Sequence, residues 1–184
     1  MSVFTEHTAE TAPVTARRAI EGAQTRFGWL PTPVALMADS PQLLAGFIAA
    51  SAGFEQTDLS DLEREVVVLV VSTTHECHYC VALHTGKLTR LGVSPELITA
   101  LRAGSSLPDP RLEALRRFTL AVLDHRGAVP DDELDDFLAA GYLPRHALDV
   151  VLGVGAYTMS TFANRLTRAP LDPPLAAHAW TPAA

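Results

Sequence analysis

Residues 60–84 read SDLEREVVVLVVSTTHECHYCVALH, and the fold class turns on how this stretch is read. Five valines among the six residues Val66–Val71 favour a strand by propensity. Against that, Ser60 and Glu63 have the spacing of a capping box, in which each satisfies a backbone donor of the other. No turn signal interrupts the run before Thr73, so the segment predicts a helix buried on most of its sides. Thr73-Thr74-His75-Glu76 is poor helix sequence and predicts a break or kink. A second helix then runs from about Cys77 to Leu91 and stops at Gly92.

Working outward, the same signals recur. Pro13 opens a helix over Val14–Phe27, and Gly28-Trp29-Leu30-Pro31-Thr32-Pro33 breaks it. Ser40-Pro41 is an N-cap followed by proline in the first turn, opening a helix to about Gln56. Ser94-Pro95 starts another that closes at Gly104, and Pro110–His125 and Pro130–Ala140 follow at helical spacing. Pro144–Thr167 is the last long helix. No alternation of period two is present, so the fold class is all-α, with seven to nine helices. Residues 1–12 read as a loosely held arm and residues 170–184 as a proline-rich tail that packs on the body or on a neighbour. Leu62–Leu83 and Leu143–Phe162 echo each other as long apolar segments, which suggests a degenerate two-helix repeat. Thr158 and Thr161 stand in the second copy where Cys77 and Cys80 stand in the first.

The chain has 184 residues, 48% of them hydrophobic and 19% charged, which suits one domain spanning 1–184 and excludes disorder as its main state. A chain of this size buries roughly 70% of its unfolded surface, enough for a core without staples. The net charge of −7, with only 14 Lys and Arg, argues against a nucleic-acid partner or a polybasic membrane patch. The longest apolar run is far short of the roughly 20 residues that span a bilayer. The first ten residues lack a basic start followed by an apolar stretch, so no signal peptide is read and a cytoplasmic location is expected.

Cysteine usage carries the first functional signal. Cys77 and Cys80 are the only two cysteines and form one C-x-x-C, too close in sequence to staple a fold. On a helix, Cys77, Cys80 and His84 fall at i, i+3 and i+7 and share a face. Cα atoms three apart on a helix lie roughly 5–6 Å from each other, within the span of a disulfide. A bond there would crosslink little, which suits redox turnover better than stability. His84, four residues after Cys80, can take the thiol proton or stabilise the thiolate, the attacking species. Glu65, on the preceding helix, can orient the His84 ring, giving a Cys–His–Glu relay. Other readings stay open. The pair could be a zinc half-site completed by His84, His75 or His78, although the second half-site of a zinc ribbon is missing. It could also be two inert buried cysteines, and Glu65 an ordinary helix charge. His78 reads as a solvent-facing or supporting residue, Tyr79 as packing, and the isolated His7, His125, His146 and His178 as surface or interface. No cofactor and no metal is expected.

The pattern Glu65, eleven residues, Cys77, two residues, Cys80, three residues, His84 resembles the AhpD-like (alkylhydroperoxidase D) branch of the carboxymuconolactone decarboxylase superfamily. Gly28-Trp29-Leu30-Pro31, Ser40-Pro41, Phe162-Ala163-Asn164-Arg165 and Asp172 are similar to its peroxidase-related subgroup. The resemblance implies an all-helical fold that assembles as a homo-oligomer: a dimer, a trimer or a hexamer. It implies a thiol peroxidase, an antioxidant oxidoreductase acting on hydroperoxides. Cys80 would be peroxidatic, Cys77 resolving, His84 the base on Cys80, and Glu65 the partner of His84. The reductant would be a thiol or dithiol, lipoyl- or thioredoxin-like. The family's best-known members carry a histidine directly before the second cysteine, where this chain has Tyr79, a poor base with an ordinary pKa of about 10. A metal-binding or sensing protein and a disulfide exchange protein with Cys77 as attacker are the alternatives.

Overall fold

The computed structural model describes residues 3–182, and among these the regular elements are all helical. They are α1 (Val14–Phe27), α2 (Thr32–Met37), α3 (Pro41–Glu55), α4 (Asp61–Thr74) and α5 (His78–Arg90), then α6 (Pro95–Ala103), α7 (Pro110–Asp124), α8 (Asp131–Ala139) and α9 (Pro144–Thr167). A 3₁₀ helix over Pro173–His178 follows. None of these helices is long and apolar enough to cross a membrane.

The valine run is helical because of its surroundings. The Ser60–Glu63 capping box forms in both directions and starts α4. Every residue from Val66 to Val71 is then buried, because α5, α6, α7 and α9 all pack around this one helix. A helix enclosed on all sides has no polar face to show, so β-branched residues fill it and packing overrides their strand preference. The helix runs through both threonines and ends at Thr74, with His75 as its C-cap, and Glu76 adopts a left-handed backbone, φ 51°, in the turn before Cys77.

Helix α9 crosses α3 and α4 at Gly153. A Cβ there would lie 2.8 Å from the buried Phe54 ring and 3.0 Å from Val67 Cγ1, so the crossing requires glycine. The Leu143–Phe162 segment is the N-cap and first part of this single unbroken helix, whereas Leu62–Leu83 spans α4, the turn and α5. The echo between the two therefore does not extend to a shared two-helix shape.

Three segments depart from their sequence reading or add to it. Thr32–Met37 forms a short helix that starts at the end of the stretch read as a break and runs on toward Ser40. Its residues are mostly buried, so tertiary burial organises a segment with weak local signals. Thr5 N–H donates to Asp39 Oδ2 (2.8 Å) and His7 Nε2 meets Asp39 Oδ1 (2.8 Å), so the N-terminal arm is hydrogen-bonded to the chain just after α2. The proline-rich tail lies on the body, its 3₁₀ helix against α5. Arg102 there donates to the carbonyls of His178 and Ala179 (3.0 and 2.8 Å), and Trp180 Nε1–H donates to Arg102 O (2.9 Å). His146, read as surface, is buried. It follows Pro144 in the first turn of α9, and its Nδ1 accepts from the Leu143 N–H at 3.0 Å.

Candidate active site

The α4–α5 turn brings Cys77 and Cys80 together, with one difference from the sequence reading. Cys77 is not inside the helix; it is the N-cap of α5, and its sulfur faces the Cys80 N–H at 3.5 Å. The two sulfurs lie 2.9 Å apart as free thiols, in hydrogen-bond contact with each other. Both are buried, at 1% and 3% exposure. Of the two, Cys77 is the one held toward its thiolate. Its thiol is lowered to about 7, first by the bond with Cys80, which outweighs burial, with the Cys80 backbone N–H and Asn164 adding to it. A thiolate at the positive end of a helix suits this position. Cys80 moves the other way: its bond to Cys77, its burial and the charge on Cys77 push its thiol well above the usual range.

One turn along α5 from Cys80, His84 Nδ1 meets Glu65 Oε2 at 2.7 Å. Glu65 projects from α4 and is only 1% exposed; its other oxygen, Oε1, holds Lys87 Nζ at 2.7 Å. Burial pushes the Glu65 carboxyl up, but His84 and then Lys87 outweigh it and leave it below the ordinary range. Tyr157 from α9 sets its ring edge-on to His84, centroids 5.3 Å apart, which limits the tilt of the imidazole. The expected Glu65–His84 contact is thus present, and Lys87 is a third member that the motif did not reveal.

Helix α9 supplies a wall that sequence reading did not assign to the site. Asn164 Nδ2 donates to Cys80 Sγ at 3.2 Å and lies 3.8 Å from Cys77 Sγ; Ser160 Oγ is 3.9 Å from Cys80 Sγ. Thr161 Oγ1 meets His75 Nδ1 at 2.9 Å, and Arg165 Nη1 donates to the carbonyls of His75 and Glu76 at 2.7 and 2.8 Å. Tyr157, Ser160, Thr161 and Asn164 follow helical spacing within an apolar helix. That buried polar stripe is the one sequence signal that could have marked them.

Tyr79 is not placed as a proton carrier. Its hydroxyl donates to Asp172 Oδ2 at 2.5 Å, and burial followed by that bond raises its pKa far above ordinary. Asp172 also accepts from Trp29 Nε1 (3.1 Å), Thr32 N (3.1 Å) and Thr32 Oγ1 (2.5 Å). The carboxylate ties α5, α2 and the tail together behind the cysteines, where Leu171 and Leu175 join the apolar packing around Cys77, Tyr79 and Cys80. His78, the first residue of α5, is partly exposed. Among the described residues, no group of three or more His, Cys, Asp or Glu side chains is arranged to hold a metal ion.

The carboxymuconolactone decarboxylase family pattern matches residues 34–121, which include both cysteines, Glu65 and His84. Among solved structures, the chain is similar to an AhpD-core, uncharacterized peroxidase-related protein from Ralstonia eutropha JMP134, with 22% identity over 95% of this chain and 94% of that one, TM-score 0.82. It is similar to an uncharacterized peroxidase-related protein from Silicibacter sp. TM1040, with 20% identity over 95% and 93%, TM-score 0.78. The debrominase Bmp8 matches at 15% identity over 97% and 96%, TM-score 0.78. No curated protein is a significant match. At these identities the structural likenesses establish the fold.

Proposed function

We propose that the chain is a thiol peroxidase of the AhpD-like/carboxymuconolactone decarboxylase superfamily that reduces organic hydroperoxides through Cys77 and Cys80. The observation that carries this reading is the pair of free sulfurs 2.9 Å apart with a buried Glu65–His84 pair on the next turn. Cys80 attacks the terminal oxygen of the hydroperoxide, and His84 takes the Cys80 proton as Glu65 holds its ring. The O–O bond breaks, Cys80 becomes a sulfenic acid, and the leaving alkoxide takes a proton to become the alcohol. Cys77, already ionised near neutrality, then attacks the Cys80 sulfur. Hydroxide leaves as water and the disulfide closes. A thiol or dithiol reductant, lipoyl- or thioredoxin-like, restores the pair. Exposed Leu148, Phe162 and Leu166 along α9, at 71%, 56% and 70%, support assembly as a homo-oligomer. A cytoplasmic setting suits a dithiol that must be re-reduced.

The test is rapid-mixing peroxide oxidation with mass spectrometry of the Cys77–Cys80 peptide. Cys80→Ser abolishes peroxide consumption, and Cys77→Ser leaves a trappable sulfenic acid on Cys80. Consumption at the wild-type rate by both variants sinks the reading.

One observation favours a second reading, disulfide exchange with a protein substrate. The lowered thiol is Cys77, at a helix N-cap, the position of an attacking cysteine in an exchange protein. In that case Cys80→Ser, rather than Cys77→Ser, accumulates the mixed disulfide with a model protein disulfide.

A further inference from the structure

Asn164 is 3% exposed, and its amide is satisfied at one end only. The Nδ2 group faces the two sulfurs, 3.2 Å from Cys80 and 3.8 Å from Cys77. The Oδ1 atom is buried and has no hydrogen-bond partner. Only one other described side-chain atom, His146 Nε2, shares that condition. Buried amide oxygens are rarely left unpaired in native proteins, so an orphan acceptor beside a reactive sulfur asks for an explanation. Exchanging the two ends of the amide would turn its oxygen onto the sulfurs, 3.8 Å from Cys77, the thiol held toward its charged form.

Resting on the thiol peroxidase reading, we propose that Asn164 Oδ1 is the docking group for the reacting oxygen: it accepts the O–H of the hydroperoxide and then the O–H of the Cys80 sulfenic acid. The atom that Cys80 attacks is the terminal peroxide oxygen, the one that carries hydrogen. That hydrogen needs an acceptor before, during and after the transfer, because the oxygen moves to sulfur without giving it up. Asn164 reaches the sulfur with one end and offers the missing acceptor with the other. In the first step the Cys80 thiolate forms the S–O bond, the O–O bond breaks, and the alkoxide leaves and is protonated. The transferred O–H stays on Oδ1 throughout. In the second step Cys77 forms the S–S bond, the S–O bond breaks, and the departing hydroxide takes a proton to become water. Ser160 Oγ, one helical turn earlier on α9, stands 3.9 Å from Cys80 Sγ. The turn that presents the sulfurs is fixed to the same helix by Arg165, the next residue, through the His75 and Glu76 carbonyls. The acceptor and the sulfur are therefore held in one rigid register.

The role makes a prediction that simple tuning of the thiolate does not. An electrophile without an O–H, such as a pyridyl disulfide, needs the thiolate but not the acceptor. The measurement compares the rate of thiol oxidation by cumene hydroperoxide with the rate of reaction with the pyridyl disulfide, across pH, in wild type, Asn164→Leu and Asn164→Ser. Leucine keeps the volume and removes both polar ends, and serine restores a small acceptor if leucine disturbs the fold. The expected result is a loss in the hydroperoxide rate on the order of 10-fold or more, beyond any loss in the pyridyl disulfide rate at matched thiolate fraction. Equal losses with the two electrophiles overturn the proposal and reduce Asn164 to a thiolate partner. A wild type no faster than free cysteine with hydroperoxide overturns the peroxidase reading itself, and this role with it.

Discussion

The Tyr79 hydroxyl donates to Asp172 Oδ2 at 2.5 Å, joining the residue between the two cysteines to a carboxylate 93 positions further along the chain. This bond decides the part Tyr79 plays. The hydroxyl hydrogen is already given to a carboxylate that accepts three further bonds, and its pKa lies far above the working range. Tyr79 is therefore an anchor between α5 and the tail.

Tyr79→Phe removes that bond and leaves Asp172 three donors. Stability falls by about 1.5–3 kcal/mol, the worth of a hydrogen bond to a charged acceptor. Chemical denaturation checks it. Hydroperoxide reactivity stays within a few-fold of wild type; a collapse in rate with the fold intact would return Tyr79 to the proton path.

The ionisation of the cysteine pair predicts a pH profile. Cys77 is lowered to about 7, so its alkylation by iodoacetamide rises through that pH and levels off above it. Cys80→Ala removes the neighbouring thiol that lowers Cys77, and the midpoint moves up toward the ordinary thiol value of about 8.5. Residue-resolved mass spectrometry over a pH series reads both midpoints. An unchanged midpoint in Cys80→Ala would show that the helix terminus alone sets the thiolate.

Glu65→Gln leaves Lys87 and His84 without their buried carboxylate. The loss is about 2–3 kcal/mol, near the low end for a broken buried ion pair because Lys87 reaches solvent. The sign follows from the lowered carboxyl. A folded pKa below the unfolded one adds stability that is complete above the ordinary value of 4.5 and is lost as pH falls through the folded value. The gap between wild type and variant in urea melts therefore narrows in acid. A gap that widens as pH falls contradicts the ion pair.

Gly153→Ala tests the helix crossing. The added methyl meets the Phe54 ring at 2.8 Å and Val67 at 3.0 Å, where both are enclosed. Overpacking of this kind costs about 1–3 kcal/mol despite the better helix propensity of alanine. Thermal denaturation should show a lower midpoint; an increase would mean that α9 can move away from α3 and α4 freely.

Much of the site was legible because it is local. The capping box at Ser60, the stop at Thr73–Glu76 and the restart near Cys77 each depend on residues within one or two turns. The same range covers Cys80 and His84, which share a helix, and the motif spacing brought in Glu65. Local signals were weaker at Thr32–Met37, where a six-residue helix forms by being buried between its neighbours. They also missed the N-cap role of Cys77 by one residue. That shift matters, since a capping sulfur receives the helix N–H and a sulfur inside the helix does not.

The chain's own order of residues determines its helices, the place of its two sulfurs and the identity of the Glu65–His84 pair, because capping and periodicity act over a few residues. The three-dimensional packing decides which cysteine holds the charge, what Asn164 and Ser160 face, and why Tyr79 is an anchor. Those outcomes depend on α9 and the tail meeting α5 across 80 to 93 positions of chain. No local preference encodes such a meeting. It follows from burying α4 on every side, which forces α9 against the turn that carries the thiols.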